Sequence, residues 1–188
     1  GNGYLSPYFI TNQEKNTVEF EKPLILLYDG KISNLQDMLQ YLEFSNKQRR
    51  PLLIISDGVD GEALNTMLVN KLQGTLRVAA VKAPGFGENR RSKLQDIATL
   101  TGGKLVSEMD GVLLKETIAA EYVGGCDKVT ITGDSTTIIG GFGDAASISE
   151  LTSELKSQIS ACENPSTAIL LKERLSKFEG GVAIIKIG

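Results

Sequence analysis

Asp57, Asp60 and Glu62 fall within one six-residue stretch, and carboxylates that close are the minimum equipment for general acid/base work. They have no assistant. The chain contains no histidine, which removes the commonest general base and metal ligand and excludes His-dependent triads and His-based metal sites. The simpler reading is electrostatic: the three acids sit just before and within the start of a helical segment, whose positive N-terminal end favours them. Gly85-Phe86-Gly87-Glu88-Asn89-Arg90 opens like a dinucleotide-binding loop, but Arg90 stands where the third glycine belongs, and no Gly-Lys-Ser/Thr occurs anywhere. Pro84, Gly85 and Gly87 are expected instead to shape a loop leaving a strand. Cys126 and Cys162 lack CxxC spacing and read as reduced thiols, a disulfide being the lesser alternative. No catalytic or metal-binding set is expected.

The chemistry this sequence does offer is apolar contact. From Asp60 to Leu72 the apolar residues Ala63, Leu64, Met67, Leu68, Val69 and Leu72 sweep an arc of about 240° at helical spacing, where a helix lying on one core needs only about 100°. Part of that arc must face something other than the core. In the preceding helical segment Ser33 and Gln36 fit a capping box, and Leu35, Met38, Leu39 and Leu42 follow as one stripe with Tyr41 and Phe44 off it. Two neighbouring helices with surplus apolar surface among charges suit a site for apolar polypeptide; the alternative is that both are sandwiched between layers.

Composition limits the partners. With 188 residues, 41% hydrophobic and 23% charged, the chain reads as one globular domain able to bury about 70% of its unfolded surface. A net charge of −3 gives no basic footprint for nucleic acid or an anionic membrane, and the runs Lys47-Gln48-Arg49-Arg50 and Asn89-Arg90-Arg91 are too short to change that. No apolar run approaches the ~18 residues of a membrane span, and the N-terminus shows no signal segment.

The elements that must position the helices alternate. Leu24–Tyr28, Leu52–Ile55 and Leu76–Val81 read as largely buried strands with the two helices between them, an order that favours an α/β core with parallel pairing. Further on, helices are expected near Ser92–Leu100 and Val112–Ala120, and strands over Lys128–Thr132 and Thr136–Ile139 joined by a tight Gly133-Asp134 turn. Gly140, Gly141 and Gly143 read as a flexible connection. Asp144 is expected to cap a helix with the stripe Ile148, Leu151, Leu155, Ile159, and Asn164 another that starts at Pro165 and runs through Leu171 and Leu175 to Phe178. These should form an antiparallel hairpin against the sheet, before Gly180-Gly181 releases a last strand, Val182–Ile187.

Six blocks, spread in order over essentially the whole chain, carry a family resemblance: Gly3-Tyr4-Leu5-Ser6-Pro7-Tyr8-Phe9-Ile10, Lys31-Ile32-Ser33-Asn34, Gly61-Glu62-Ala63-Leu64, Val78-Ala79-Ala80-Val81-Lys82-Ala83-Pro84-Gly85-Phe86-Gly87, Leu94-Gln95-Asp96-Ile97-Ala98-Thr99-Leu100-Thr101-Gly102-Gly103 and Gly180-Gly181-Val182-Ala183. Together they resemble the apical domain of group I chaperonins, the GroEL family. The resemblance implies a swivelling β/β/α architecture with a C-terminal helical hairpin, covering residues 1–188 of a longer chain whose equatorial and most of whose intermediate domain lie elsewhere. It implies a groove that binds non-native polypeptides and, at the same site, the mobile loop of a GroES-type co-chaperonin.

Carried over position by position, the implied binding residues are Tyr4, Tyr8 and Phe9 in an extended segment, Leu39 and Leu42 on the first helix, and Leu64, Leu68 and Val69 on the second, with Asn70 as a donor to a bound backbone. Gly180 and Gly181 resemble one of two hinges. ATP and Mg would bind only the full-length protein, so this stretch is expected to have no cofactor and no ATPase activity. The full-length protein would be an ATPase assembled as a double ring of heptamers; the isolated stretch is expected to be a monomer. Bacterial cytoplasm, mitochondrial matrix and plastid stroma all host the family. Two departures stand out: Asn2 replaces an arginine of the best-known bacterial member, and a lysine of that member near the Gly133-Asp134 turn has no counterpart. A divergent domain recognising one dedicated partner is the alternative reading.

Overall fold

The computed structural model describes residues 4–179 and 182–186. Gly180 and Gly181, the expected hinge, lie outside the described residues, as do Asn2, Gly3 and Ile187. In chain order the elements are β1 (Val18–Glu21), β2 (Leu24–Asp29), β3 (Lys31–Ile32), α1 (Leu39–Gln48), β4 (Leu52–Ser56), β5 (Gly58–Val59), α2 (Gly61–Leu72), β6 (Val78–Lys82), α3 (Gly87–Thr101), β7 (Val106–Ser107), α4 (Ala119–Tyr122), β8 (Gly124–Ile131), β9 (Ser135–Gly141), α5 (Ala145–Ala161), α6 (Pro165–Glu179) and β10 (Val182–Lys186). Short 3-10 turns occupy Pro7–Phe9, Leu35–Asp37, Glu108–Asp110 and Leu114–Glu116.

The protein is a mixed α/β fold. β2, β4 and β6 pair in parallel, Leu24 opposite Leu52 and Leu52 opposite Val78. Their central residues Ile25, Leu26, Leu53, Ile54, Ala79 and Ala80 are inaccessible to solvent. Strands covered on both faces read as unbroken apolar runs, which is why these three were legible in the sequence. β8 joins the parallel strands to an antiparallel half: its start, Gly124-Gly125, lies beside β2, and its end pairs with β1 on one side and β9 on the other. β10 extends β9 in antiparallel fashion, and β7 pairs with the end of β2.

Two expectations need correction. The helix expected over Val112–Ala120 is a 3-10 turn at Leu114–Glu116 followed by the single turn α4, because Thr117 between them is extended and its hydroxyl donates back to the Leu114 carbonyl at 2.7 Å. Gly140, Gly141 and Gly143 are not a flexible connection. Gly140 and Gly141 end β9, and a Cβ at Gly141 or Gly143 would run into the carbonyl oxygens of Leu100 or Thr99, so these glycines permit close packing against the end of α3. The helical hairpin packs, as expected, against the sheet, on its edge strand β10, and against α3.

Both hairpin caps form as expected. Asp144 accepts from the Ser147 N–H at 3.1 Å, and Asn164 accepts from Ser166 at 2.9 Å ahead of Pro165. Leu155 and Leu171 are the buried members of the two stripes. The link to α3 is ionic: Arg174 forks onto Asp96 at 2.7 and 3.0 Å, and the Asp96 side chain is 3% exposed. Removing one member of such a pair strands the other charge. Asp96→Asn should therefore cost on the order of 3 kcal/mol in denaturant unfolding, and adding Arg174→Met should recover most of it.

Candidate functional site

Both helices of the candidate site hang from one small parallel pair. β2 and β4 run on, through Gly30 and Asp57, into β3 and β5, where Lys31 opposes Gly58 and Ile32 opposes Val59. The Asp57 N–H donates to the Gly30 carbonyl at 2.9 Å, Asp60 to Ile32 at 3.0 Å and Ala63 to Ser33 at 3.2 Å, so the start of α2 is fastened to the strand that leads into α1. Ser33 spends its hydroxyl on the Asp60 carboxylate and caps nothing. The expected capping box is thus replaced: Asn34 accepts from Gln36 N–H at 3.0 Å, a 3-10 turn follows, and the α-helix proper begins only at Leu39.

That turn shifts the phase of the first helix. Met38, Tyr41, Leu42 and Ser45 form its buried face, and Leu39, expected on the same stripe as Met38 and Leu42, sits at the surface with 36% exposure. Tyr41 is fully buried, its phenol bonded to the Thr117 hydroxyl, and burial pushes its pKa up to about 12. A folded value above the usual ~10 means that the stabilisation is complete below pH 10 and is lost as pH rises toward about 12.

On α2 the surplus arc is real. Ala63 and Met67 face the core at 0% exposure, Leu64 and Leu68 are half-buried, and Val69 and Leu72 stand 52% and 62% exposed. The N-terminal segment flanks it. Tyr4 bridges Val81 on the β6 edge, Leu5 donates to the Ala80 carbonyl at 2.9 Å, and Ser6 caps the turn Pro7–Phe9, which touches α2. Lys71 of α2 reaches back to the Ile10 carbonyl at 2.9 Å. Tyr8 projects outward at 61% exposure, whereas Phe9 is wholly buried.

Of the expected binding residues, Tyr8, Leu39 and Val69 are exposed and Tyr4, Leu64, Leu68 and Asn70 partly so, but Phe9 and Leu42 are core side chains. Asn70 is engaged within its own helix end. One amide N–H donates to Thr66 O at 2.8 Å, the amide oxygen accepts from Thr75 Oγ1 at 3.0 Å, and the Asn70 carbonyl takes the Thr75 N–H at 2.9 Å. These bonds leave its second amide proton unused.

Two arrangements were not legible in the sequence. Gln40 clamps the segment after the Leu114–Glu116 turn, donating to Thr117 O at 2.5 Å and accepting from Ala119 N–H at 3.1 Å, which holds the exposed Ile118 between two residues tied to α1. The carboxylates before α2 also divide. Asp57 binds Arg90 at 2.7 Å, within a network in which Arg90 and Arg91 lie 3.7 and 3.8 Å from Asp29 and Arg91 holds Asp110 at 2.5 Å. Asp57 is therefore an ion-pair partner of α3 rather than a helix-dipole residue, while Asp60 and Glu62 do sit at the α2 N-terminus. Gly85 and Gly87, both at positive φ, shape the loop that brings these arginines in.

Among the described residues no group of three or more His, Cys, Asp or Glu side chains is placed to hold a metal, and no helix is long and apolar enough to cross a membrane. Cys126 and Cys162 are free thiols, and burial pushes the Cys126 pKa up to about 12, away from reactivity. The exposed apolar side chains and the buried ones beside them differ in what they contribute to stability. Phe9→Ala and Leu42→Ala should each cost about 2–5 kcal/mol in urea unfolding, whereas Tyr8→Ser, Val69→Ser and Leu72→Ser should stay within about 0.5 kcal/mol. No known family model matches the sequence.

Proposed function

We propose that this chain is the polypeptide-binding domain of a chaperonin, capturing non-native proteins on the apolar surface formed by α2, the N-terminal segment and the exposed edge of α1. The observation that carries the reading is the outward face of α2. Val69 and Leu72 are more than half exposed beside half-buried Leu64 and Leu68, Tyr8 is exposed on the Pro7–Phe9 turn that touches α2, and Leu39 is exposed at the start of α1. The resemblance supports it separately: of the positions it implies, Tyr8, Leu39 and Val69 stand exposed and Tyr4, Leu64, Leu68 and Asn70 partly so, while Phe9 and Leu42 are buried.

The energetics fit weak, promiscuous capture. Apolar burial contributes ~25 cal/mol per Å² without direction, so a few partly exposed side chains supply a few kcal/mol to any chain that offers apolar groups. Several such sites around a ring raise that to useful avidity, which is how a heptameric double ring would use the domain. In that full-length protein, ATP and Mg would act in other segments, and a co-chaperonin mobile loop would compete for the same surface. Bacterial cytoplasm or an organelle matrix would house it.

The test is suppression of client aggregation by the isolated chain without ATP. Val69→Ser, Leu72→Ser and Leu39→Ser should each weaken capture of several unrelated unfolded proteins while leaving the thermal midpoint nearly unchanged, and Ile54→Ala should cost about 2–5 kcal/mol in stability. Capture that survives all three changes, or is confined to one partner, would sink the reading. Light scattering should find a monomer.

A further inference from the structure

The C-terminal end of α1 builds a second, polar cavity of about 280 Å³, lined by Ser45, Asn46, Arg49, Arg50 and Arg77. Three arginines are among its five lining residues, Arg49 and Arg77 at the surface and Arg50 half-buried. Among the described residues none of the three has a carboxylate within ion-pair distance, although Arg90, Arg91 and Arg174 all do. Like charges gathered at one cavity repel unless a counter-charge joins them.

The arginines are also held in place. Arg50 Nε donates to Lys22 O at 2.8 Å and its Nη2 to Pro23 O at 3.2 Å, while its carbonyl accepts from the Ser45 hydroxyl at 2.5 Å. Arg77 Nη2 donates to Arg49 O at 2.7 Å, tying the start of β6 to the end of α1. Each guanidinium has five N–H donors, so the backbone carbonyls anchor Arg50 and Arg77 and still leave donors that these bonds do not use. Arg49 supplies a separate observation. It closes α1 in the left-handed region, at φ 57°, a position that glycine or asparagine normally fills because a Cβ is strained there.

We infer that this cavity binds the phosphate group of a small anionic ligand. Planar guanidinium forks match phosphate oxygens two at a time and stay charged at any physiological pH. A cavity of about 280 Å³ leaves room for a phosphate and a modest organic substituent. The inference stands apart from polypeptide capture and does not depend on it.

The experiment is an NMR shift titration of the chain with inorganic phosphate, and in parallel with phenyl phosphate, at ionic strength held constant with sodium chloride. Saturable shifts are expected at the side chains of Arg49 and Arg77 and along the backbone from Ser45 to Arg50. Arg49→Gly, which relieves the strained backbone and so keeps the fold, and Arg77→Gln should each weaken binding about tenfold or more. Lys47→Gln, on the last turn of α1 but outside the cavity, should leave the affinity unchanged. Tighter binding of phenyl phosphate identifies an ester as the ligand class, and equal affinity identifies free phosphate. Shifts that do not saturate, variants that bind like the parent, or an equal loss in Lys47→Gln would overturn the site.

Discussion

The parallel pairing of Lys31-Ile32 with Gly58-Val59 is the constraint on which the candidate site depends. Because β2 and β4 are parallel neighbours, their continuations emerge side by side at the same end of the sheet, and the helices they lead into must start there too. The hydrogen bonds from Asp60 to Ile32 and from Ala63 to Ser33 then set α2 against the entrance to α1 with little freedom. Ligand surfaces in α/β sheets favour the carboxyl ends of the strands for this reason: side chains from separate parts of the chain are delivered to one place by a rigid scaffold.

That scaffold also explains how apolar side chains stay outside without endangering the fold. The core of β2, β4 and β6 with Met67, Ala63, Met38 and Tyr41 is closed and complete. Val69, Leu72, Leu39 and Tyr8 are surplus to it. A contact surface of this kind is available to a ligand at no structural cost, since covering it only adds burial. The Arg90 and Arg91 network works at the same strand ends, joining α3 to Asp29, Asp57 and Asp110, and keeps the loop before α3 fixed beside the site.

How much of this the sequence disclosed depends on the range of each interaction. The parallel strands, α2 and both hairpin caps were legible because burial on two faces, helical periodicity and capping are local patterns. The stripe on α1 was misphased because a 3-10 turn advances 120° per residue and an α-helix 100°, so a period carried across Leu35–Asp37 places Leu39 inside and Tyr41 outside, the reverse of what is found. Asp57 with Arg90, Asp96 with Arg174 and Gln40 with Thr117 are joined across 33, 78 and 77 residues, and no local pattern marks them. The glycines after β9 were misread because composition is the same for a mobile linker and for a backbone that must pass close to another.

The central claim is that apolar burial on α2 and its neighbours drives polypeptide binding. Calorimetry with an amphipathic peptide, repeated at several temperatures and from roughly 0.05 to 0.5 M salt, tests it most directly. The account requires a negative heat-capacity change and an affinity nearly independent of salt, both diminished together by Leu68→Ser. A heat-capacity change near zero, with affinity falling steeply as salt rises, would instead assign recognition to charges such as Glu43, Asp60 and Glu62 and contradict the account.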